Sequence, residues 1–164
     1  MNQLTLDVGE LFINIYKEVT EYLSCVELKD VLPFEVEGDC ISGRVETKPD
    51  APYDLVLFCC MSQELAKQIV NDMSKGNVSS QEDIIIYIKE YINIASGRAV
   101  STINNHIGKS ARFCIPEVRN GKLDIGDIDR YESYASVFFR SEYGEMILKV
   151  AYTIDCCLKL ADRV

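Results

Sequence analysis

The chain has 164 residues, with 17 Lys and Arg against 26 Asp and Glu for a formal charge of −9, 48 % apolar residues and no Trp. These proportions belong to a globular domain long enough to bury a full core without a disulfide or metal staple. The acidic balance opposes nucleic-acid binding, which rests on Lys and Arg neutralising phosphates. No apolar run approaches the ~18 residues of a membrane span. Met1 to Glu10 lacks a basic start followed by an apolar stretch, so no secretory signal is expected there.

From Asp7 to Ser24, Val8, Leu11, Phe12, Ile15, Tyr16, Val19, Tyr22 and Leu23 recur at helical spacing, which predicts an amphipathic helix with Asp7 as its N-cap. A connection containing Pro33 follows. Ile41, Gly43 and Val45 then alternate with Ser42, Arg44 and Glu46, as in a half-buried strand. Lys48 to Pro52 reads as a turn. Asp54 to Cys60 is a continuous apolar run after its first residue, as in a central strand buried on both faces, so the two strands read as a hairpin. Ser62 caps a helix to about Ser74, and a Lys75-Gly76-Asn77 break precedes a long helix from about Ser80 to His106, stopped by Gly108. On that helix Ile85, Ile88, Ile92, Ala95, Ala99 and Ile103 fall in one sector of about 80°, the expected core face.

The C-terminal third reads as strands. Ala111 to Val118 is one, with Pro116 suited to an edge. Asn120-Gly121 is a two-residue turn signal between Val118-Arg119 and Lys122-Leu123. Tyr134 to Arg140 and Glu145 to Thr153 form a second hairpin around Ser141 to Gly144, while Ile154 to Val164 is open between a strand extension and a short helix. With no repeat or linker, residues 1–164 read as a single domain. The expected fold is α+β, an antiparallel sheet with helices on one side and the long helix partly exposed.

Cys25, Cys40, Cys59, Cys60, Cys114, Cys156 and Cys157 show no C-x-x-C spacing, and His106 is the only histidine. A metal site is therefore not expected. The thiols read as reduced side chains in a reducing, cytoplasmic compartment. His106 suits the end of the long helix, where a cation complements the dipole. No nucleophile elbow, phosphate-binding Gly loop or H-E-x-x-H is present.

What remains is one polar constellation. Glu90 and Asn93, three residues apart, project from one side of the long helix, away from the core sector. Gly97 and Ile86 share that outward face. A mid-helix Gly costs roughly 1 kcal/mol relative to Ala, a cost that close approach of another chain can offset. An outward Ile asks for a partner that covers it.

Glu90-Tyr-Ile-Asn93-Ile-Ala-Ser-Gly97-Arg-Ala, followed by Ile107-Gly108-Lys109 and Ile115-Pro116-Glu117-Val118, resembles the CheX-like branch of the CheC/CheX/FliY chemotaxis phosphatases. That family carries E-x-x-N on a long helix, a glycine four residues after the Asn, and a proline-containing strand beyond. The order of elements also matches over nearly the whole chain, and one E-x-x-N is present, as in CheX-like proteins. The family's fuller motif has Ser or Asp four residues before the Glu, where this chain has Ile86.

The resemblance implies hydrolysis of the aspartyl phosphate of a CheY-like response regulator, with Glu90 and Asn93 as the catalytic residues. An amide such as that of Asn93 can orient the attacking water, and a carboxylate such as Glu90 can pair with the regulator's lysine. It implies no cofactor of the chain's own, since Mg²⁺ is expected on the regulator. It also implies a homodimer joined at sheet edges, for which Pro116 and the Tyr134 to Thr153 strands are candidates. The alternative is a non-catalytic module that docks a regulator or a flagellar-switch partner, which Ile86 favours.

Overall fold

The computed structural model describes residues 6–154. Its first helix, α1, spans Val8–Ser24, with the Asp7 carboxylate accepting the Glu10 N–H at 3.0 Å as the sequence predicts. A two-residue strand β1, Lys29–Asp30, follows, then β2, Cys40–Glu46, and β3, Asp54–Ser62. Helices α2, Gln63–Met73, and α3, Gln81–Ile107, come next. β4, Glu117–Asn120, a 3-10 turn at Ile128–Arg130, β5, Ser133–Arg140, and β6, Glu145–Thr153, complete the order.

All six strands form one antiparallel sheet in the order β1-β5-β6-β3-β2-β4. The α+β reading and the β2–β3 and β5–β6 hairpins are therefore correct. The helices cover one face. Ile41 and Val45 of β2, Leu55, Leu57, Cys59 and Met61 of β3 and Met146, Leu148 and Val150 of β6 share one buried cluster with Phe12, Tyr16, Ile69, Ile88 and Ile92 of the helices. Fully burying each large side chain contributes roughly 1.5–3 kcal/mol. On the other face Val56, Phe58 and Ala151 lie under Ile125, Ile128 and Tyr131, and Phe34 meets Phe138 edge-on at 5.6 Å. Two connecting loops thus cover the face the helices leave open, so β3 is buried on both sides.

Three expectations need correction. Ala111 to Val118 is not one strand: Phe113 makes a single bridge to Thr47, and regular pairing begins at Glu117, after Pro116, which has no N–H to give to a ladder. Asn120-Gly121 does not turn a hairpin. β4 ends at Asn120, the Gly121 N–H donates to the Cys40 carbonyl at 2.9 Å, and the chain leaves the sheet to pack Ile125 and Ile128 on its open face. Of the edges offered for dimerisation, β4 is an edge strand, but β6 lies between β5 and β3. β6 ends at Thr153, and the open question about the tail falls on 155–164, outside the described residues.

Two glycines fix how the layers meet. A Cβ on Gly43 would stand 2.3 Å from Ile92 Cδ1 and 3.3 Å from Val118 Cγ2, so its absence lets α3 settle directly on β2. Gly144, φ +149, ends the β5–β6 turn against Ser62; a Cβ there would lie 3.2 Å from Ser62 Cβ and far closer to Ser62 Oγ, the N-cap acceptor of α2. Gly144→Ala should therefore cost about 2 kcal/mol or more, from backbone strain and a disturbed cap together. Urea denaturation checks it, and a loss below about 0.5 kcal/mol would contradict this role.

Candidate functional site

The motif helix is α3. Ser80 Oγ accepts the Asp83 N–H at 3.2 Å at its start. Gly108, φ 70, closes it with its N–H on the Asn104 carbonyl at 2.8 Å, and His106 stands in its last turn. The buried stripe begins at Ile88 and takes in Tyr91, Ile92, Ala95, Ser96, Ala99, Val100, Ile103 and Ile107. Ile85, expected in the core sector, is only half-buried. The stripe is wider than the aliphatic residues alone indicate, because Tyr91 and Ser96 find polar partners inside. Tyr91 Oη lies 2.6 Å from Thr20 Oγ1, and Tyr16 Oη lies 3.2 Å from Ser96 Oγ. The Tyr16 and Tyr91 rings meet edge-on at 5.9 Å. Burial, with Cys59 adding to it, pushes the Tyr91 phenol well above its ordinary pKa. These are neutral, structural tyrosines that lock α3 to α1.

That lock fixes the rotation of α3 and so turns Ile86, Glu90 and Asn93 to solvent. The four ion pairs among the described residues are Lys17–Asp30, Arg44–Glu46, Arg98–Glu18 and Arg140–Glu145, and Glu90 is in none of them. Gly97 continues the same stripe, and a Cβ built on it meets nothing within 4 Å. Internal packing therefore gives no reason for a glycine at that position.

Glu90 and Asn93 do not stand on a bare helix. They line a shallow groove of about 220 Å³ whose other wall is Phe113, Cys114, Ile115 and Pro116, with Lys89 beside them. The chain after α3 is held there by Asn104. Its Oδ1 accepts the Ala111 N–H at 2.9 Å and the Tyr53 hydroxyl at 2.9 Å, and its Nδ2 donates to the Ala111 carbonyl at 3.0 Å. Next, the Lys48 N–H donates to the Arg112 carbonyl and the Cys114 N–H to the Glu46 carbonyl, each at 2.8 Å. Sequence reasoning missed this wall and the part played by Asn104. The Ile115-Pro116 pair was the available signal, but it reads as strand when the clamp is unseen.

The groove presents a carboxylate, an amide and a nearby ammonium to an incoming surface. It holds no enclosed cavity for a small substrate, and Cys114 is the one thiol in its lining. Among the cysteines, Cys40 and Cys59 are buried and Cys25 is exposed, while burial raises the Cys59 and Cys60 thiols. Among the described residues no cluster of His, Cys, Asp and Glu is gathered for a metal ion, and no helix is long and apolar enough to cross a membrane. A larger groove of about 430 Å³ opens on the other face of the sheet, lined by Phe34, Phe58, Cys60, Tyr134 and Lys149 among others. It shares no residue with the motif groove.

Comparison with known proteins gives a consistent picture. The family profile described as chemotaxis phosphatase CheX matches residues 41–139, more than half of the chain and including all of α3. The chemotaxis protein CheX of Vibrio vulnificus is similar in structure, with a TM-score of 0.74 at 20 % identity, covering 90 % of this chain and 97 % of that one. CheX of Desulfovibrio desulfuricans gives 0.70 at 13 % identity, over 90 % and 100 % of the two chains. A chain from the CheX–CheY–BeF3–Mg complex of Borrelia burgdorferi gives 0.66 at 14 % identity, over 92 % and 100 %. At these identities the solved structures show the shared fold. A sequence comparison with curated proteins gives no match.

Proposed function

Because the chain belongs to the CheX chemotaxis phosphatase family, we propose that it binds a CheY-type response regulator and hydrolyses its aspartyl phosphate, with Asn93 orienting the attacking water and Glu90 fixing the docking angle. The observation that carries this reading is the pairing of Glu90 and Asn93, solvent-exposed and side by side in one groove on a helix whose rotation is locked from behind.

The chemistry suits those groups. An acyl phosphate is already reactive, so the phosphatase has to hold a water in line with phosphorus. The Asn93 amide both donates and accepts, and can fix that water by position. The water oxygen bonds to phosphorus, the acyl C(O)O–P bond breaks, and the aspartate leaves as carboxylate with the bonding pair. Both protons of the water leave with inorganic phosphate, released as dihydrogen phosphate. Glu90 forms a charge-assisted pair with the regulator's active-site lysine. Charge on the transferring phosphoryl group is left to Mg²⁺ carried by the regulator. No cofactor of this chain's own enters the proposal.

Support for a protein substrate comes from Gly97. Its empty Cβ position lets a second backbone approach α3. Gly97→Ala should raise stability by about 0.5–1 kcal/mol in urea denaturation and weaken regulator binding at least severalfold. Unchanged binding would show that the gap serves no partner.

A homodimer joined at a sheet edge belongs to the same proposal, and β4 at one end and β1 with β5 at the other are the edges able to pair. A cytoplasmic setting follows from a cytoplasmic regulator. The non-catalytic reading is favoured by Ile86, 61 % exposed beside Glu90, since an apolar side chain suits a dry, lasting contact. Phosphate release from a CheY-type receiver charged with acetyl phosphate separates the two. Accelerated release supports the phosphatase, and binding without acceleration supports the docking module.

A further inference from the structure

Two large apolar side chains stand exposed around the motif. Ile86 is 61 % and Ile115 82 % exposed. Ile86 begins the stripe that runs through Glu90, Asn93 and Gly97, seven residues before Asn93 and thus about 10 Å away along the helix axis. Ile115 lines the same groove as Glu90 and Asn93. A mobile loop could fold such a side chain inward, but this one cannot. The Cys114 N–H is tied to the Glu46 carbonyl at 2.8 Å, and Pro116 restricts the backbone of Ile115, the residue before it. Both side chains are thus presented in advance, at little ordering cost on binding.

What covers them follows from size. A protein interface buries about 800 Å² per partner, a disc of roughly 16 Å radius. A partner with a footprint of that size centred on Asn93 covers Ile86, about 10 Å along the helix, and Ile115, in the same groove. The identity of position 86 then constrains the partner. A Ser or Asp there would need a hydrogen-bonding group opposite. An Ile leaves such a group desolvated and unpaired, and so selects against it.

Building on the phosphatase reading, we propose that Ile86 and Ile115 are the apolar anchors that select the partner, and that the receiver this chain acts on carries apolar side chains in the rim around its phosphorylated aspartate. They are positioning residues, while Glu90 and Asn93 address the reacting group.

The test uses the full chain and a panel of CheY-type receivers, activated with beryllofluoride and Mg²⁺, that differ in rim polarity. Binding is read by fluorescence anisotropy and turnover by phosphate release. Apolar-rimmed receivers should bind tightest. Ile86→Ser and Ile115→Ser should each weaken that binding about tenfold, with kcat at saturating phosphorylated receiver within twofold of wild type. Ile86→Leu should keep the affinity, and Ile86→Ser should narrow the gap between apolar-rimmed and polar-rimmed receivers. Both positions are exposed, so the variants should fold, and circular dichroism verifies it. If both Ser variants bind as wild type while Asn93→Ala still stops turnover, the anchors are refuted and the phosphatase reading stands. If the wild-type chain neither binds nor dephosphorylates any receiver of the panel, both readings fall.

Discussion

Asn93→Ala should lower the dephosphorylation of a CheY-type receiver by about 10²–10³-fold at saturation, the loss seen when one positioned group is removed from a reaction centre. Its affinity for the activated receiver should stay within about threefold of wild type, because the amide acts on water rather than on the partner's surface. Glu90→Ala should behave differently. Its proposed partner is a lysine, and a hydrogen bond to a charged group contributes about 1.5–3 kcal/mol. Affinity should therefore fall about 10–100-fold alongside the rate. Glu90→Gln, which keeps the shape and one acceptor, should lie between. Stopped-flow phosphate release with parallel binding titrations separates these effects. If the two alanine variants lost affinity equally and kept the rate, the division of labour would be wrong.

Tyr91→Ala should be among the most destabilising single changes in α3, about 3–5 kcal/mol, the range for truncating a buried aromatic side chain. The ring is fully buried, packs edge-on against Tyr16 at 5.9 Å and sets its hydroxyl 2.6 Å from Thr20 Oγ1. Tyr91→Phe should cost only about 1 kcal/mol, because Thr20 Oγ1 still donates to the Tyr16 carbonyl at 2.5 Å and stays satisfied. Glu90→Ala, one residue away but exposed to solvent, should shift stability by no more than about 0.5 kcal/mol. Chemical denaturation of the three variants measures the contrast. A Tyr91→Phe variant that folds normally but cannot dephosphorylate would overturn the structural role given to this hydroxyl.

That contrast shows where the sequence is legible and where it is not. Asp7, Ser62 and Gly108 mark helix ends by local capping chemistry, and each caps where expected, while Ser80, read only as the approximate start of α3, is its N-cap. The unbroken run after Asp54 announces a strand buried on both faces, since burial leaves no polar alternation to see. Tyr91 and Ser96 escape an apolar count because their burial depends on Thr20 and Tyr16, far away in the chain. β1 escapes it because two exposed residues carry no pattern.

The motif groove divides in the same way. The outward projection of Glu90 and Asn93 follows from helical geometry, which is local. The opposing wall does not, because it depends on Asn104 bonding to Ala111 and Tyr53, and on Cys114 reaching Glu46. Asn120-Gly121 misleads for a related reason. Its local turn preference is outweighed by pairing with β2 and by the apolar surface that Ile125 and Ile128 cover.

The most direct measurement is a progress curve of phosphate release with a small catalytic amount of this chain and a large excess of CheY-type receiver phosphorylated by acetyl phosphate. The account predicts many turnovers per molecule at a rate well above the receiver's own decay, and decay at the uncatalysed rate when Asn93→Ala is substituted. A wild-type curve that coincides with uncatalysed decay, or an Asn93→Ala curve as fast as wild type, would contradict it.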